Sequence, residues 1–135
     1  MLMNDDILNF ILNWISNNTV YDGSLFNFEV ILLSLEDIQK KACGGKCPII
    51  GFFDPSIGVL ITKLDFYKPC NMSILLHEII HALQYLTESQ LQDVFKEREA
   101  YYIQNKFLLD LSKKEGLIDL LNVKKCRSLQ LNVLR

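Results

Sequence analysis

The two histidines of the chain lie four residues apart, and a glutamate directly follows the first. On a helix this spacing places His77 and His81 one turn apart on the same face, with Glu78 beside them. The pattern H-E-x-x-H is a zinc-binding signature, because one rigid helix then supplies two imidazole nitrogens. The sequence therefore predicts a zinc site at residues 77–81.

Glu78 is the candidate general base of this site. Zinc lowers the pKa of a bound water to roughly 7, and a neighbouring carboxylate can accept the proton. The surrounding residues predict a helix with a chemical face and an apolar face. The apolar face comprises Leu75, Leu76, Ile79, Leu83 and Leu86. The alternative is a solvated polar face with two incidental histidines, which the spacing and the intervening glutamate disfavour.

A third ligand is expected from the long helix predicted after the motif. Glu97 and Glu99 are the main candidates, since Glu88 and Asp93 lie nearer the turn, where reaching back to the metal is harder. Helical phase does not choose between Glu97 and Glu99, because the two residues lie at similar angles on either side of the helix's apolar stripe.

Three further residues of this helix are candidates for stabilising an oxyanion or contacting a substrate: Arg98, Tyr101 and Tyr102. Arg98 falls inside the predicted apolar stripe, which indicates a paired charge or one that faces the site. The stripe comprises Leu91, Val94, Phe95, Tyr101, Tyr102, Leu108 and Leu109.

Length and composition favour a single domain spanning residues 1–135. The chain is 50% hydrophobic and 22% charged, which is typical of a globular protein, and its net charge of -2 offers no footprint for nucleic acid. No apolar run reaches the roughly 20 residues that a membrane-spanning helix needs, and the acidic N-terminus is unlike a secretory signal. We therefore expect a cytoplasmic location.

The hydrophobic pattern predicts an α+β fold with a small antiparallel or mixed sheet. Helices are predicted at residues 5–16, 35–42, 73–87 and 89–114, with a short one within 117–135. Strands are predicted at residues 26–33, 49–53 and 58–62. The last two strands form a hairpin around Asp54-Pro55-Ser56 that packs against the motif helix. The second hairpin strand, Gly58 to Thr62, is expected at a sheet edge, where it offers backbone hydrogen bonds to an extended substrate.

Four cysteines leave several arrangements open. Reduced, partly buried thiols are the simplest interpretation in the cytoplasm. In an oxidising compartment Cys47 and Cys70, which flank the hairpin, could close its base. A separate structural zinc site would require Cys43, Cys47, Cys70 and Cys126 to converge through folding.

The segments HEIIHALQY and ESQLQDVFKEREAYYIQNKFL resemble the zincin metallopeptidases of the gluzincin type. In that group the third ligand commonly begins an E-x-x-A segment on the following helix. The match here is Glu97-Arg98-Glu99-Ala100, so the resemblance favours Glu97 over Glu99 as the third ligand. It also implies a minimal zincin-like fold.

A second resemblance covers roughly residues 43–104. The segment GFFDPSIGVLIT is similar to the G-F-D-P-x-x-G-x-I stretch of the mitochondrial inner-membrane processing peptidases that assist ATP synthase assembly. Leu83-Gln84-Tyr85 departs from that family, which usually carries an aspartate after the second histidine. The resemblance is therefore extended to the fold and the metal chemistry but not to a mitochondrial role.

Two functions of different classes remain open at this point. One is a zinc metallopeptidase with a peptide or protein substrate, in which His77, His81 and Glu97 bind zinc and Glu78 activates water. The other is a zincin-like protein-binding module whose zinc is structural. Glu78 discriminates between them, because a structural site has no need of a base and is expected to have a fourth protein ligand.

Overall fold

The computed structural model describes residues 3–134 and their side chains as far as residue 129. This part of the chain forms five α-helices and three β-strands, which confirms the predicted mixture of helices and a small sheet. In chain order they are α1 (Asp5–Asn18), β1 (Val30–Leu33), α2 (Leu35–Cys43), β2 (Gly51–Asp54), β3 (Gly58–Thr62), α3 (Pro69–Leu86), α4 (Asp93–Lys114) and α5 (Val123–Leu134). None of these helices is long and apolar enough to cross a bilayer.

Local capping explains where the first two helices begin and end. The Asn4 side chain accepts a hydrogen bond from the Asp6 amide at the start of α1, and Ser34 accepts one from the Asp37 amide at the start of α2. Gly44 ends α2 in the left-handed conformation, with φ of 71°. Both helices therefore form close to where the sequence predicts them.

The sheet is mixed and has the strand order β1, β3, β2. β3 pairs in parallel with β1 and antiparallel with β2, so the hairpin is confirmed. β3 is the central strand, however, and all five of its residues are buried. The predicted edge position of Gly58–Thr62 is therefore wrong, because β1 pairs with the side of β3 that β2 leaves open.

β2 forms the edge of the sheet beside α3. The Thr62 amide donates to the Ile50 carbonyl oxygen over 2.9 Å, which makes Ile50 and Thr62 a hydrogen-bonded pair. Backbone groups alternate along an antiparallel strand, so those of Gly51 and Phe53 point away from β3. β2 thus has the free backbone groups that the sequence analysis expected on β3.

One apolar core joins α1, the sheet, α3 and α4. α3 lies at its centre and contacts both β2 and β3 as well as α4. Trp14 links α1 to α4, since its Nε1 donates to Asp110 Oδ2 over 2.8 Å. The core positions α3 from several sides, so the histidine-bearing face has a rigid support.

α3 differs from its prediction in where it begins, and α4 differs in which face is buried. α3 begins at Pro69 rather than near Ser73, because proline is well suited to the first helical turn. The apolar stripe predicted for the helix at residues 89–114 is wrong at five positions, since Leu91, Val94, Phe95, Tyr102 and Leu109 are exposed, and right at Leu108, which is fully buried. The face that is buried instead comprises Ala100, Ile103, Gln104, Phe107, Leu108, Leu111 and Ser112.

The cysteines form two disulfides, Cys43–Cys47 and Cys70–Cys126. This pairing contradicts the interpretation as reduced thiols, the Cys47–Cys70 pair and the four-cysteine zinc site. The reason is that α5 packs back beside the start of α3 and brings Cys126 to Cys70. Disulfides persist in oxidising compartments, a condition that the predicted cytoplasmic location does not ordinarily provide.

Candidate metal centre

α3 presents both histidines on one face. The Nε2 atoms of His77 and His81 lie 3.1 Å apart. The opposite face is anchored in the core by Leu75, Leu76, Ile79, Ile80 and Leu83, each of them fully buried. The helical period and this anchoring fix the direction of both imidazoles.

α4 brings a carboxylate to the same point. Glu97 Oε1 lies 2.6 Å from His77 Nε2, and Glu97 Oε2 lies 3.4 Å from His81 Nε2. Ala100, one turn further along α4, is fully buried, and its small side chain allows the two helices to approach. One ligand atom from each of the three residues lies within 4.8 Å of the other two, so this group could hold a metal ion.

A chain of hydrogen bonds behind His77 sets its tautomer. Ser73 Oγ donates to the Cys70 carbonyl oxygen over 2.7 Å, so it accepts from Gln104 Nε2 at 3.1 Å. Gln104 Oε1 therefore faces His77 Nδ1 at 2.9 Å and accepts a hydrogen bond from it. This bond favours the neutral tautomer with its proton on Nδ1, in which Nε2 has a lone pair for a cation.

A second chain orients His81 in the same way. Gln84 Nε2 donates to the Lys96 carbonyl oxygen over 2.9 Å and to Glu99 Oε1 over 3.0 Å. Gln84 Oε1 is thereby left to accept from His81 Nδ1, 2.8 Å away. Glu99 also accepts a hydrogen bond from the Tyr21 hydroxyl, which ties the chain to the segment after α1. His81 also presents its Nε2 lone pair to the cluster.

The cluster has the composition of a metal site. Two Nε2 lone pairs and a carboxylate oxygen so close together repel unless a proton or a metal cation lies between them. Ligands at roughly 2.0–2.1 Å around a tetrahedral zinc are separated by about 3.3 Å from one another. Two of the spacings, 3.1 and 3.4 Å, are close to this value, and the 2.6 Å between His77 Nε2 and Glu97 Oε1 is shorter. His77, His81 and Glu97 are therefore compatible with zinc, the metal that the H-E-x-x-H motif implies.

Electrostatics distinguish the candidate ligand Glu97 from Glu78. When His77 carries a proton on both ring nitrogens, its hydrogen bond to Glu97, followed by the charges of both histidines, lowers the pKa of Glu97. Burial lowers the pKa of His77, but the hydrogen bond and charge of Glu97 and the charge of Glu78 outweigh it and raise that pKa overall. Burial raises the pKa of Glu78 to about 7, with His77 opposing the shift. Glu78 is thus a carboxyl group suited to exchanging a proton near neutral pH.

An open cleft of about 860 Å³ lies over the cluster. Its walls come from four places in the chain: the edge strand β2 with the residues before it, the chemical face of α3, the first half of α4 and the start of α5. The lining includes Glu78, His77, His81 and Glu97. A ligand in the cleft therefore meets the cluster and the free edge of the sheet together.

The three other residues predicted near the site separate in the structure. Tyr101 lines the cleft, and its ring centroid lies 4.5 Å from that of His77. Tyr102 is 71% exposed and borders a smaller, separate cavity. Arg98 is exposed, with its guanidinium carbon 5.5 Å from the centroid of the Phe95 ring. Successive helical residues are about 100° apart, so Arg98 and Tyr102 point away from the cleft.

Three residues at the site were not predicted from the sequence: Gln84, Gln104 and Arg127. Gln84 follows His81 by three residues and Gln104 follows Glu97 by seven, so helical spacing alone places both glutamines on the faces that carry the ligands. That signal was available. Arg127 lies on α5 and lines the cleft. The sequence predicts only a short helix within residues 117–135, and no clear hydrophobic period indicates how that helix packs.

Three comparisons with known proteins bear on the identity of the chain. No family model matches it, no curated protein matches it and no solved structure matches it. The assignment of a function therefore depends on the geometry of the His77, His81 and Glu97 cluster and of the cleft above it.

Proposed function

We propose that the protein is a zinc-dependent metallopeptidase of the zincin type that hydrolyses peptide bonds. One observation carries the proposal: the ligand atoms of His77, His81 and Glu97 converge beneath an open cleft, and both imidazoles are oriented by glutamines. Orientation of each imidazole through its second nitrogen is typical of metal-binding histidines.

Two imidazoles and one carboxylate favour zinc over calcium or magnesium, which prefer oxygen ligands. Zinc would be held by His77 Nε2, His81 Nε2 and the Glu97 carboxylate. When bound, it supplies a Lewis acid that polarises a carbonyl group and lowers the pKa of a water molecule to roughly 7.

Glu78 carries the proton in this proposal. Its carboxylate accepts the proton of the attacking water and passes it to the leaving amine nitrogen, as a general base and then a general acid. The raised pKa of Glu78 supports both roles, because a carboxyl group that titrates near neutrality can accept and donate. Tyr101, beside His77, is the candidate for a contact with the oxyanion.

An extended peptide suits the cleft better than a compact metabolite. The free backbone groups of Gly51 and Phe53 lie on the strand that borders the cleft, and peptides commonly bind by adding a strand to such an edge. Aromatic and apolar side chains line the same wall: Ile49, Phe52, Phe53, Pro55 and Tyr85. They offer hydrophobic contacts to alternate substrate side chains.

The alternative, a binding module with a structural zinc, has less support. Structural zinc sites are almost always closed by four protein ligands. Within the described residues the cluster offers three, His77, His81 and Glu97, and it faces an open cleft. Three ligands leave one position for a water or a substrate, which is the arrangement of catalytic sites.

The decisive experiment replaces Glu78 with glutamine. Wild-type and Glu78→Gln proteins, both loaded with zinc, are incubated with a randomised peptide library, and the products are identified by mass spectrometry. We expect Glu78→Gln to keep its zinc and its unfolding temperature but to lose about 10²–10⁴-fold in cleavage rate, because it removes the base and no ligand. Glu115→Gln, an exposed change at the end of α4, is the matched control.

Equal cleavage by wild type and Glu78→Gln contradicts the peptidase proposal. Stoichiometric zinc in a wild-type protein that cleaves no peptide favours the structural-zinc alternative instead.

A further inference from the structure

The start of α5 is fixed over the cleft by three kinds of contact. The Val123 amide donates to Asn105 Oδ1 of α4 over 2.7 Å, and the Leu121 amide donates to Ser112 Oγ over 2.9 Å. Leu108, Val123 and Cys126 form a small buried cluster. The Cys70–Cys126 disulfide then attaches α5 to the first turn of α3. The residue after Cys126 is therefore held at a defined position.

That residue is Arg127, whose guanidinium carbon lies 4.7 Å from the centroid of the Tyr101 ring. Tyr101 in turn packs against His77, so the three side chains form a stack that leads from α5 to the metal centre. Among the described residues, no carboxylate lies within 4.0 Å of the Arg127 guanidinium. Two acidic residues line the cleft, Glu78 and Glu97. Glu97 is engaged with the histidines, and neither carboxylate forms an ion pair with Arg127.

We infer that Arg127 recognises a carboxylate group of the substrate. A guanidinium presents paired donors that match the two oxygens of a carboxylate, and stacking on an aromatic ring pre-orients it. The arginine lines the cleft, and its planar fork stacks on Tyr101 without an acidic partner among the side chains that the structure describes. This inference rests on the proposed peptidase function and adds a substrate class to it.

The geometry limits where the carboxylate lies along the substrate. The two stacking distances, 4.7 and 4.5 Å, keep the guanidinium carbon within about 9 Å of the His77 ring centroid, and an extended peptide advances roughly 3.3–3.6 Å per residue. Arg127 therefore reaches a carboxylate two or three residues from the cleaved bond. Two sources share this chemistry: the C-terminal carboxylate of a peptide, and an aspartate or glutamate side chain.

The test uses three sets of randomised hexapeptides: one with free C-termini, one amidated, and one amidated and lacking aspartate and glutamate. Zinc-loaded wild-type protein is expected to cleave bonds two or three residues before a carboxylate. Loss of this preference on amidation identifies the terminal carboxylate as the source. Loss only when the acidic residues are also removed identifies a side chain.

Arg127→Met is expected to lower the ratio of kcat/KM for carboxylate-bearing peptides to kcat/KM for neutral peptides by about tenfold, mainly through a higher KM for the carboxylate-bearing peptides. Arg127→Lys keeps the charge without the fork, so it is expected to retain part of the preference. Arg98→Met is the matched control, because Arg98 also stacks on an aromatic ring but lies outside the cleft. If the ratio of kcat/KM for carboxylate-bearing peptides to kcat/KM for neutral peptides is the same in wild type and Arg127→Met, the inference is overturned.

A binding measurement separates this inference from the proposed function. Unlabelled hexapeptides from the same three sets are titrated into zinc-loaded wild-type and Arg127→Met proteins, and the heat of binding is recorded by calorimetry. A carboxylate preference that disappears in Arg127→Met supports the inference even if no peptide is cleaved, in which case the peptidase proposal alone fails. Equal affinity for carboxylate and neutral peptides in the wild type overturns the inference even if cleavage occurs.

Discussion

His77 and His81 lie on the same helix and offer the same atom to the same point, yet the protein supports them differently. The side chain of His77 is 7% exposed, and its partner Gln104 comes from α4, 27 residues away in sequence. The side chain of His81 is 21% exposed, and its partner Gln84 lies on the same helix, one turn later.

The two supports also end in different places. The hydrogen bonds behind His77 end at the carbonyl oxygen of Cys70, where the disulfide to α5 begins. Those behind His81 end at Glu99 and Tyr21, and burial together with the Glu99 carboxylate raises the pKa of that tyrosine. One helix is therefore sufficient to align the two candidate ligands. The hydrogen bonds that fix their tautomers depend on segments far apart in sequence, at Tyr21 and at Cys126.

Replacing either histidine with alanine is expected to have the largest effect. His77→Ala and His81→Ala should each lose stoichiometric zinc, since two protein ligands rarely suffice. His77→Ala should also lower the unfolding temperature of the protein treated with chelator more than His81→Ala does. Both variants leave a buried glutamine without its histidine partner, but the His77 side chain is 7% exposed and that of His81 21%, so water reaches the space left by His81 more easily.

Metal analysis and thermal unfolding with and without chelator measure both effects. Full zinc occupancy in either variant would contradict the ligand assignment. Equal destabilisation of the two chelated variants would show that the difference in burial has no energetic consequence.

The local parts of this comparison were predictable from sequence, and the long-range parts were not. His77, Glu78 and His81 share one helical turn, so spacing and helical periodicity were sufficient to group them. The hairpin was equally local, because Asp54-Pro55-Ser56 carries the turn chemistry. Such features depend on residues within a few positions of one another.

Tertiary pairing accounts for the errors. The sequence of β3 is compatible with a strand at the edge of the sheet or at its centre. Only the parallel pairing with β1 places β3 at the centre. The pairing of Cys70 with Cys126 likewise depends on α5 folding back onto α3, for which the segment gave no periodic signal. Arg127 was missed for the same reason.

Glu97 and Glu99 are two residues apart but differ in role, because Glu97 joins the cluster and Glu99 supports His81 through Gln84. Glu97→Ala is expected to lower zinc affinity by more than 100-fold, beyond the 10–100-fold typical of residues behind the ligands, and to leave stability almost unchanged, since its side chain is 48% exposed. Glu99→Ala should bind zinc more tightly than Glu97→Ala does. It should also unfold at a lower temperature than Glu97→Ala, because Tyr21 and Gln84 lose an acceptor.

Competition with a fluorescent zinc chelator gives the two affinities, and thermal unfolding gives the stabilities. A larger loss of zinc affinity in Glu99→Ala than in Glu97→Ala would overturn the assignment of the third ligand.

The smallest expected effect concerns the glutamines themselves, Gln104 and Gln84. Gln104→Leu removes the acceptor of His77 Nδ1 in a buried site, so it should weaken zinc binding by about 10–100-fold. Gln84→Leu should weaken it less, because water can replace the acceptor at the more exposed His81. Gln104→Glu is the matched control: its carboxylate still accepts from Nδ1, so zinc affinity should be retained. If Gln104→Glu loses as much affinity as Gln104→Leu in the same chelator competition, the glutamine acts through packing rather than by fixing the tautomer of His77.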